Sequence, residues 1–302
     1  MFLKTRSESD ELRAMHSLSA RMELTDKEKY HYLILKKGYE GEVKFDSLIA
    51  DLPEERYIVN DILLEVNNSY FQIDSFIISQ GVINLLDIKN FEGDYYYDSD
   101  KLYSVASRRE LKNPVNQLKR STTLFRQFLH DHKLNYLVEP FVIFINPEFT
   151  LFQAPMDEPI ILPTQVNRFL RELELTPSKL NDGQNNLAKR IISSHQTKNP
   201  FTKLPKYDYD LLRKGIYCRA CHSYQIMVRK YSFVCEKCGE KEKIEDAILR
   251  NLKELKLLFP ELKITTSIIY EWCDGQLNKK TYSRVLNKYY TAIGNTSDTY
   301  YE

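Results

Sequence analysis

Ser69-Tyr70-Phe71-Gln72-Ile73-Asp74-Ser75-Phe76-Ile77-Ile78-Ser79-Gln80-Gly81-Val82-Ile83-Asn84-Leu85-Leu86-Asp87-Ile88-Lys89 is the stretch whose reading decides the fold. Its two halves are rich in aromatic and β-branched residues, and Ser79-Gln80-Gly81 separates them as a turn. The pattern predicts a β-hairpin. With Gln80-Gly81 as a two-residue loop, Ser79 faces Val82. Counting outward then places Asp74 opposite Asp87 and Gln72 opposite Lys89. Side chains alternate along a strand, so Asp87 and Lys89 share a face and Asp74 joins them. Like charges directly opposite one another destabilise a sheet, which points to a cation between the two acids. Oxygen-only ligation suits a hard ion such as Mg²⁺ or Mn²⁺, completed by phosphate and water. The lysine supplies positive charge for a developing oxyanion. A three-residue loop with a glycine bulge would shift this register by one. A partly exposed hairpin with solvated acids is also compatible with the spacing.

Upstream, Thr25 and Glu28 form a capping box that starts a helix through residues 30–35. Gly38-Tyr39-Glu40-Gly41-Glu42 interrupts or loosens that helix. Val43, Phe45, Leu48 and Ile49 continue its apolar stripe, and Leu52-Pro53 ends it. Glycines at 38 and 41 each cost a helix about 1 kcal/mol relative to alanine, so they imply a close approach by another backbone or a ligand. Glu42 would point at whatever approaches. Residues 1–24 read as a charged helical lead-in with little core to bury.

A strand is expected at 57–66, before the hairpin, and short strands near 94–97 and 102–105 after it. Asn113-Pro114 starts a helix that reaches about residue 132. Val115, Leu118, Leu124, Phe125 and Phe128 face its core, with Lys112, Lys119, Arg120 and Arg126 outside. Residues 138–145 form a buried strand, and 164–173 and 184–194 two helices. Residues 38–150 are thus an α/β or α+β layer.

Composition bounds the rest. The 302 residues allow two or three domains, and 42% hydrophobic with 28% charged residues fits a soluble globular protein. The formal charge of +1 predicts no partner by itself. Its distribution does: residues 101–135 carry eight Lys/Arg against two Asp/Glu, and 178–214 carry eight against three. Such patches can neutralise phosphates. No signal peptide and no membrane span is expected. Four of the five cysteines form two Cys-x-x-Cys pairs, Cys218/Cys221 and Cys235/Cys238. They suggest a bound metal in a reducing, cytoplasmic compartment rather than disulfides. Thirteen residues separate the pairs, room for a short hairpin, and four thiolates closing a tetrahedral Zn²⁺ site make a structural zinc ribbon. His222 is a bystander, because four cysteines fill the shell. Cys273 is expected to be a buried apolar residue.

The tail is helical. Ile244, Ala247, Ile248, Leu252 and Leu255 share a face up to Pro260, and a short helix spans 267–273. Asn278 caps a last helix with Tyr282, Val285, Leu286 and Tyr289 inward and Lys280, Arg284 and Lys288 in a row outside. This resembles a helix-turn-helix; an ordinary helical hairpin with a solvated basic face fits equally.

Four pieces in order, Gly38-Tyr39-Glu40-Gly41-Glu42, Gln72-Ile73-Asp74, Asp87-Ile88-Lys89-Asn90 and Asn113-Pro114-Val115-Asn116-Gln117, resemble the nuclease-related domain family (NERD), over about residues 36–150. That family is placed in the PD-(D/E)xK restriction-endonuclease-like superfamily. The resemblance implies a mixed sheet flanked by helices, with Asp74 and Asp87 holding Mg²⁺ or Mn²⁺. It further implies that Glu42 ligates or orients water, Lys89 positions the water or stabilises the phosphorane, and Gln117 orients the site. No proline precedes Asp74, and the second acid is aspartate where glutamate is commoner.

The expected organisation is a helical lead-in (1–35), a nuclease-like domain (36–150), a helical extension and basic connector (151–214), a zinc ribbon (215–243) and a helical tail (244–302). The expected function is metal-dependent hydrolysis of phosphodiesters, in DNA sooner than RNA. Lys119, Arg120, Lys280, Arg284 and Lys288 would contact nucleic acid. A non-catalytic nucleic-acid-binding protein on the same scaffold is the alternative.

Overall fold

The computed structural model describes residues 1–52, 55–294 and 299–302, and the chain divides into two compact units. One gathers Met1–Glu8 and Ile34–Thr202, the other Ser9–Leu33 and Lys203–Glu302. In chain order the elements begin with β1 (Phe2–Lys4), α1 (Asp10–Arg21), α2 (Asp26–Ile49), β2 (Tyr57–Val66), β3 (Ser69–Ile78) and β4 (Val82–Lys89). Then come β5 (Gly93–Asp98), β6 (Lys101–Ser104), β7 (Glu110–Leu111), α3 (Pro114–Asp131), β8 (Leu137–Phe144), β9 (Phe149–Phe152) and β10 (Ile160–Ile161). Helices α4 (Val166–Leu175) and α5 (Asp182–Ser193) follow, then β11 (Ile226–Val228), β12 (Ser232–Cys235) and β13 (Lys241–Lys243). The chain closes with α6 (Ile244–Leu258), α7 (Thr266–Trp272), α8 (Lys279–Tyr289), β14 (Ala292–Ile293) and β15 (Tyr300–Tyr301).

The first unit is a mixed α/β layer. Its main sheet runs β1-β2-β3-β4-β8-β10, with β2, β3 and β4 antiparallel and β8 parallel to β4. The hairpin register follows the two-residue loop: Ile78 pairs Ile83, Ser75 pairs Leu86, and Ser79 N–H reaches Val82 O at 2.9 Å. Gly81 supplies the positive φ of +78° that this loop needs. On one face Phe76, Ile78, Ile83 and Leu85 pack with Val115, Leu118 and Phe125 of α3 and with Leu187 and Ile191 of α5. On the other, Ile77, Leu86, Ile88 and Ile143 pack with Phe45 and Ile49 of α2 and with Val166 and Phe169 of α4.

The alternation slips in the middle of β2 and β3. Val59 and Ile62 lie in the same core although three residues apart, and so do Ile73 and Phe76. Asp61, at φ +53°, marks the slip in β2. A residue in this left-handed region kinks the strand as a bulge does. Asp61 and Asp74 therefore stand where the apolar pattern is broken.

Two expectations are corrected. Helix α2 runs unbroken through Gly38 and Gly41, because its packed face on the far side of the sheet outweighs two weak helix formers. Its expected end at Pro53 lies outside the described residues. Nor are residues 1–24 a lead-in with little to bury. Phe2–Lys4 adds a strand parallel to β2, and α1 buries Leu12, Ala14, Met15 and Leu18.

In the second unit, β11-β12-β13 form a small antiparallel sheet carrying the cysteines. Helices α1 and α6 pack together, as do α7 and α8. Asn278 caps α8 by accepting from Thr281 N–H. Tyr282, Val285 and Leu286 are buried as expected, but Tyr289 is 48% exposed and turns its hydroxyl to Glu245 instead. Among the described residues no helix is long and apolar enough to cross a membrane.

Candidate functional site

The end of β4 is pinned to α2 by a glycine. A Cβ on Gly41 would fall 2.4 Å from Asn90 Cβ, so only glycine admits Asn90 against the helix. Asn90 then donates to Lys37 O at 2.7 Å. This contact fixes Glu42, the next residue of α2, relative to Lys89, the residue before Asn90. A Cβ on Gly38 would meet nothing within 4 Å among the described residues, so no such demand falls there.

Across the hairpin the ladder stops at Ser75–Leu86, and the Asp74 side chain takes over. Its Oδ2 accepts the Ile88 N–H at 2.8 Å, which sets the carboxylate between the two strands. Lys89 Nζ donates to Asp87 Oδ1 at 2.8 Å. Asp87 Oδ2 is buried with no hydrogen-bond donor among the described residues. Burial pushes the Asp87 carboxyl up to about 6; Lys89 opposes the rise and the nearby Asp74 adds to it. Burial works against the Lys89 charge, but Asp87 and then Asp74 outweigh it and hold the ammonium above its usual range. Glu42 is pushed up to about 8, first by burial, then by Asp74, against the pull of Arg6. Asp74, Asp87 and Lys89 are thus brought together, with Glu42 near enough to feel both Asp74 and Lys89.

Arg6 holds Glu42. Its Nη1 donates to Glu42 Oε2 at 2.7 Å and to Asp61 Oδ1 at 2.6 Å, while Nε and Nη2 grip Asp46 at 2.9 and 3.1 Å. Nη2 also reaches the Asp74 carbonyl at 3.0 Å. The Arg6 side chain is 2% exposed. Burial opposes its charge, but Asp46, Asp61 and Glu42 keep the guanidinium held above the ordinary arginine range. Burial likewise raises Asp61 against Arg6.

Sequence reasoning missed Arg6, Asp46 and Asp61. Asp46 lies one turn beyond Glu42 on the same helix face. Asp61 was within reach of counting. Asn67 and Asn68, both at positive φ, make a two-residue turn with Val66 opposite Ser69, which puts Asp61 opposite Asp74. Arg6 carried no signal; nothing near it in sequence indicates a buried cation.

The remaining candidates are dispersed. Gln117 lies half-buried in the first turn of α3, and no hydrogen bond among the described residues joins its side chain to the acids. Lys119 is engaged by Glu158, and Lys288 by Glu245 at 2.7 Å. Arg120 is exposed, with its guanidinium 3.4 Å from Tyr70 O. Lys280 and Arg284 are exposed one turn apart on α8.

The four cysteine sulfurs lie within 4.8 Å of one another, with Cys218–Cys238 and Cys221–Cys235 both at 3.6 Å. Sulfurs about 2.3 Å from a tetrahedral centre stand about 3.8 Å apart, so the cluster has the dimensions of a metal site. Among the described residues it is the one group of three or more such ligands this tightly gathered. Backbone knuckles hold it: Cys218 N–H bonds Ser223 O at 2.8 Å and Cys235 N–H bonds Glu240 O at 2.9 Å. His222 is drawn aside, its ring 4.4 Å from that of His16. Cys273 is free and fully buried.

Two acids and a lysine thus gather where the central hairpin of a helix-flanked mixed sheet splays. Residues 37–145, about a third of the chain, match the family model NERD, the nuclease-related domain. No curated protein and no solved structure matches the chain.

Proposed function

We propose that the chain is a metal-dependent nuclease that hydrolyses phosphodiester bonds, in DNA sooner than RNA, with Asp74 and Asp87 holding Mg²⁺ or Mn²⁺. The observation that carries this reading is the facing pair Asp74 and Asp87, one oxygen of Asp87 being buried and without a donor. A buried carboxylate oxygen left unpaired is costly, and a cation removes the cost. An all-carboxylate donor set fits a hard ion. When bound, the ion lowers the pKa of coordinated water and offsets charge on the scissile phosphate.

The chain's own residues do the rest. Lys89, fixed by Asp87 and 17% exposed, presents its ammonium to the phosphate or the water. Glu42, fixed through one oxygen by Arg6, orients water at the site. The four cysteines take structural Zn²⁺, and a closed thiolate shell leaves no position for chemistry. Lys280, Arg284 and Arg120 meet backbone phosphates, while Lys119 and Lys288 exchange a carboxylate partner for phosphate on binding.

One observation favours the alternative, a nucleic-acid binder on a silent scaffold: Glu42 is already engaged by Arg6. Incubating plasmid DNA with the protein and Mg²⁺ or Mn²⁺ separates the two. Nicking is expected, reduced by about 10²-fold or more in Asp87→Ala. Equal retardation without cutting by both proteins supports the binder, and neither cutting nor retardation removes both readings.

A further inference from the structure

Arg6 sorts the acids gathered at this site. The guanidinium takes the carboxylates of Glu42, Asp46 and Asp61. Of Asp74 it touches only the backbone carbonyl. The Asp74 carboxylate turns instead to Ile88 N–H and Asp87. We propose that Arg6 is a built-in cation filling the place beside Glu42 where a second divalent ion would otherwise sit, so that the site takes one ion, at Asp74 and Asp87. The inference rests on the nuclease reading above and fixes its metal stoichiometry.

Three observations support it. In two-metal sites the ions stand about 3.5–4 Å apart, so the second would draw its ligands from the acids next to Asp74. Glu42 is such an acid, and its Oε2 is taken at 2.7 Å. Second, a guanidinium does not lose its proton and matches carboxylates through a fixed fork of donors. At 2% exposure, and gripping three acids, it does not exchange with solvent ions as a bound metal does. Third, Asp61 adopts a left-handed backbone, φ +53°, in mid-strand. That conformation is disfavoured for a residue with a Cβ. It is tolerated where it delivers the carboxylate to Arg6 and to Ser7 N–H, at 2.6 and 3.1 Å.

The test is an equilibrium Mn²⁺ titration of the zinc-loaded full chain, with free Mn²⁺ read by electron paramagnetic resonance and folding by circular dichroism. Wild type is expected to hold one Mn²⁺. Arg6→Met is expected to hold two, and adding Asp61→Asn to remove the second. Arg6→Met combined with Asp46→Asn leaves fewer unpaired charges and serves if the single variant does not fold. Two ions on wild type, or one on a folded Arg6→Met protein, overturns the proposal while leaving the nuclease reading intact. No ion on wild type, with plasmid uncut, overturns both.

Discussion

Gly38 and Gly41 lie one turn apart in α2 and make opposite demands. A methyl group at 38 meets open space, whereas at 41 it strikes the Cβ of Asn90, an atom fixed to the backbone just after β4. Gly38→Ala is expected to stabilise the protein by about 0.5–1 kcal/mol, through lower chain entropy in the unfolded state. Gly41→Ala gains the same propensity but must push Asn90 away, and overpacking of this kind costs about 1–3 kcal/mol. Chemical denaturation of the two variants should therefore give midpoints on opposite sides of wild type. Equal shifts would mean that Asn90 yields freely and does not pin Glu42 to Lys89. At this scale much of the site was legible. The Gln80-Gly81 loop set the register as far as Ser75–Leu86, and period-two alternation put Asp87 with Lys89; counting alone did not show that Asp74 would leave the ladder to accept from Ile88 N–H. The position of Glu42 after a glycine was legible too. Its partner was not: Arg6 reaches it through folded space, and the polar run around Arg6 looks like any solvated segment.

Among the elements, β2 shows how the sheet protects an edge that its neighbour does not cover. Strand β1 pairs β2 only near Ile58 and Val59. Further along, Leu63 finds both backbone partners in the segment after α5: its N–H donates to His195 Nδ1 at 3.1 Å and its carbonyl accepts from Gln196 N–H at 2.8 Å. Nδ1 can accept only while it carries no proton. Burial, reinforced by Lys4, lowers the His195 pKa from its ordinary 6.5. A depressed histidine favours the folded state with the ring neutral. Its contribution is complete above pH 6.5 and is lost as pH falls below that towards the lowered folded value. Hydrogen-exchange protection of the Leu63 amide, corrected for intrinsic rate, should thus fall as pH drops below 6.5. His195→Ala should show low protection at every pH. A flat profile in wild type would show that the ring does not hold this edge. The Thr25–Glu28 capping box, the Asn-Pro start of α3 and the apolar run of β8 were readable because each is a local signal. The unbroken course of α2 through two glycines was not, because the sheet face that holds it is built from strands later in the chain.

For the whole molecule the decisive pairings are the distant ones. Residues 1–8 belong to the first unit and 9–33 to the second, so a segment that looks like one charged leader supplies parts to both. In the second unit Arg21, with its side chain fully buried, pairs with Glu254, bonds Asn251 Oδ1 at 2.8 Å and lies 4.0 Å over the ring of Trp272. Arg21 and Glu254 are 233 residues apart, so neither announces the other in sequence. Removing one partner of a buried pair leaves an uncompensated charge and costs about 3–5 kcal/mol, whereas replacing both by apolar groups is often neutral. Trp272 is the single tryptophan of the chain, so its fluorescence follows this unit alone. Arg21→Met is expected to lower the melting temperature read from Trp272 strongly. Adding Glu254→Leu should recover much of the loss, short of full recovery because Tyr217 then loses the carboxylate that its hydroxyl meets at 3.2 Å. If the double variant is as unstable as the single one, the loss comes from the packing of Arg21 against the indole. The stray charge on Glu254 would then carry little of it.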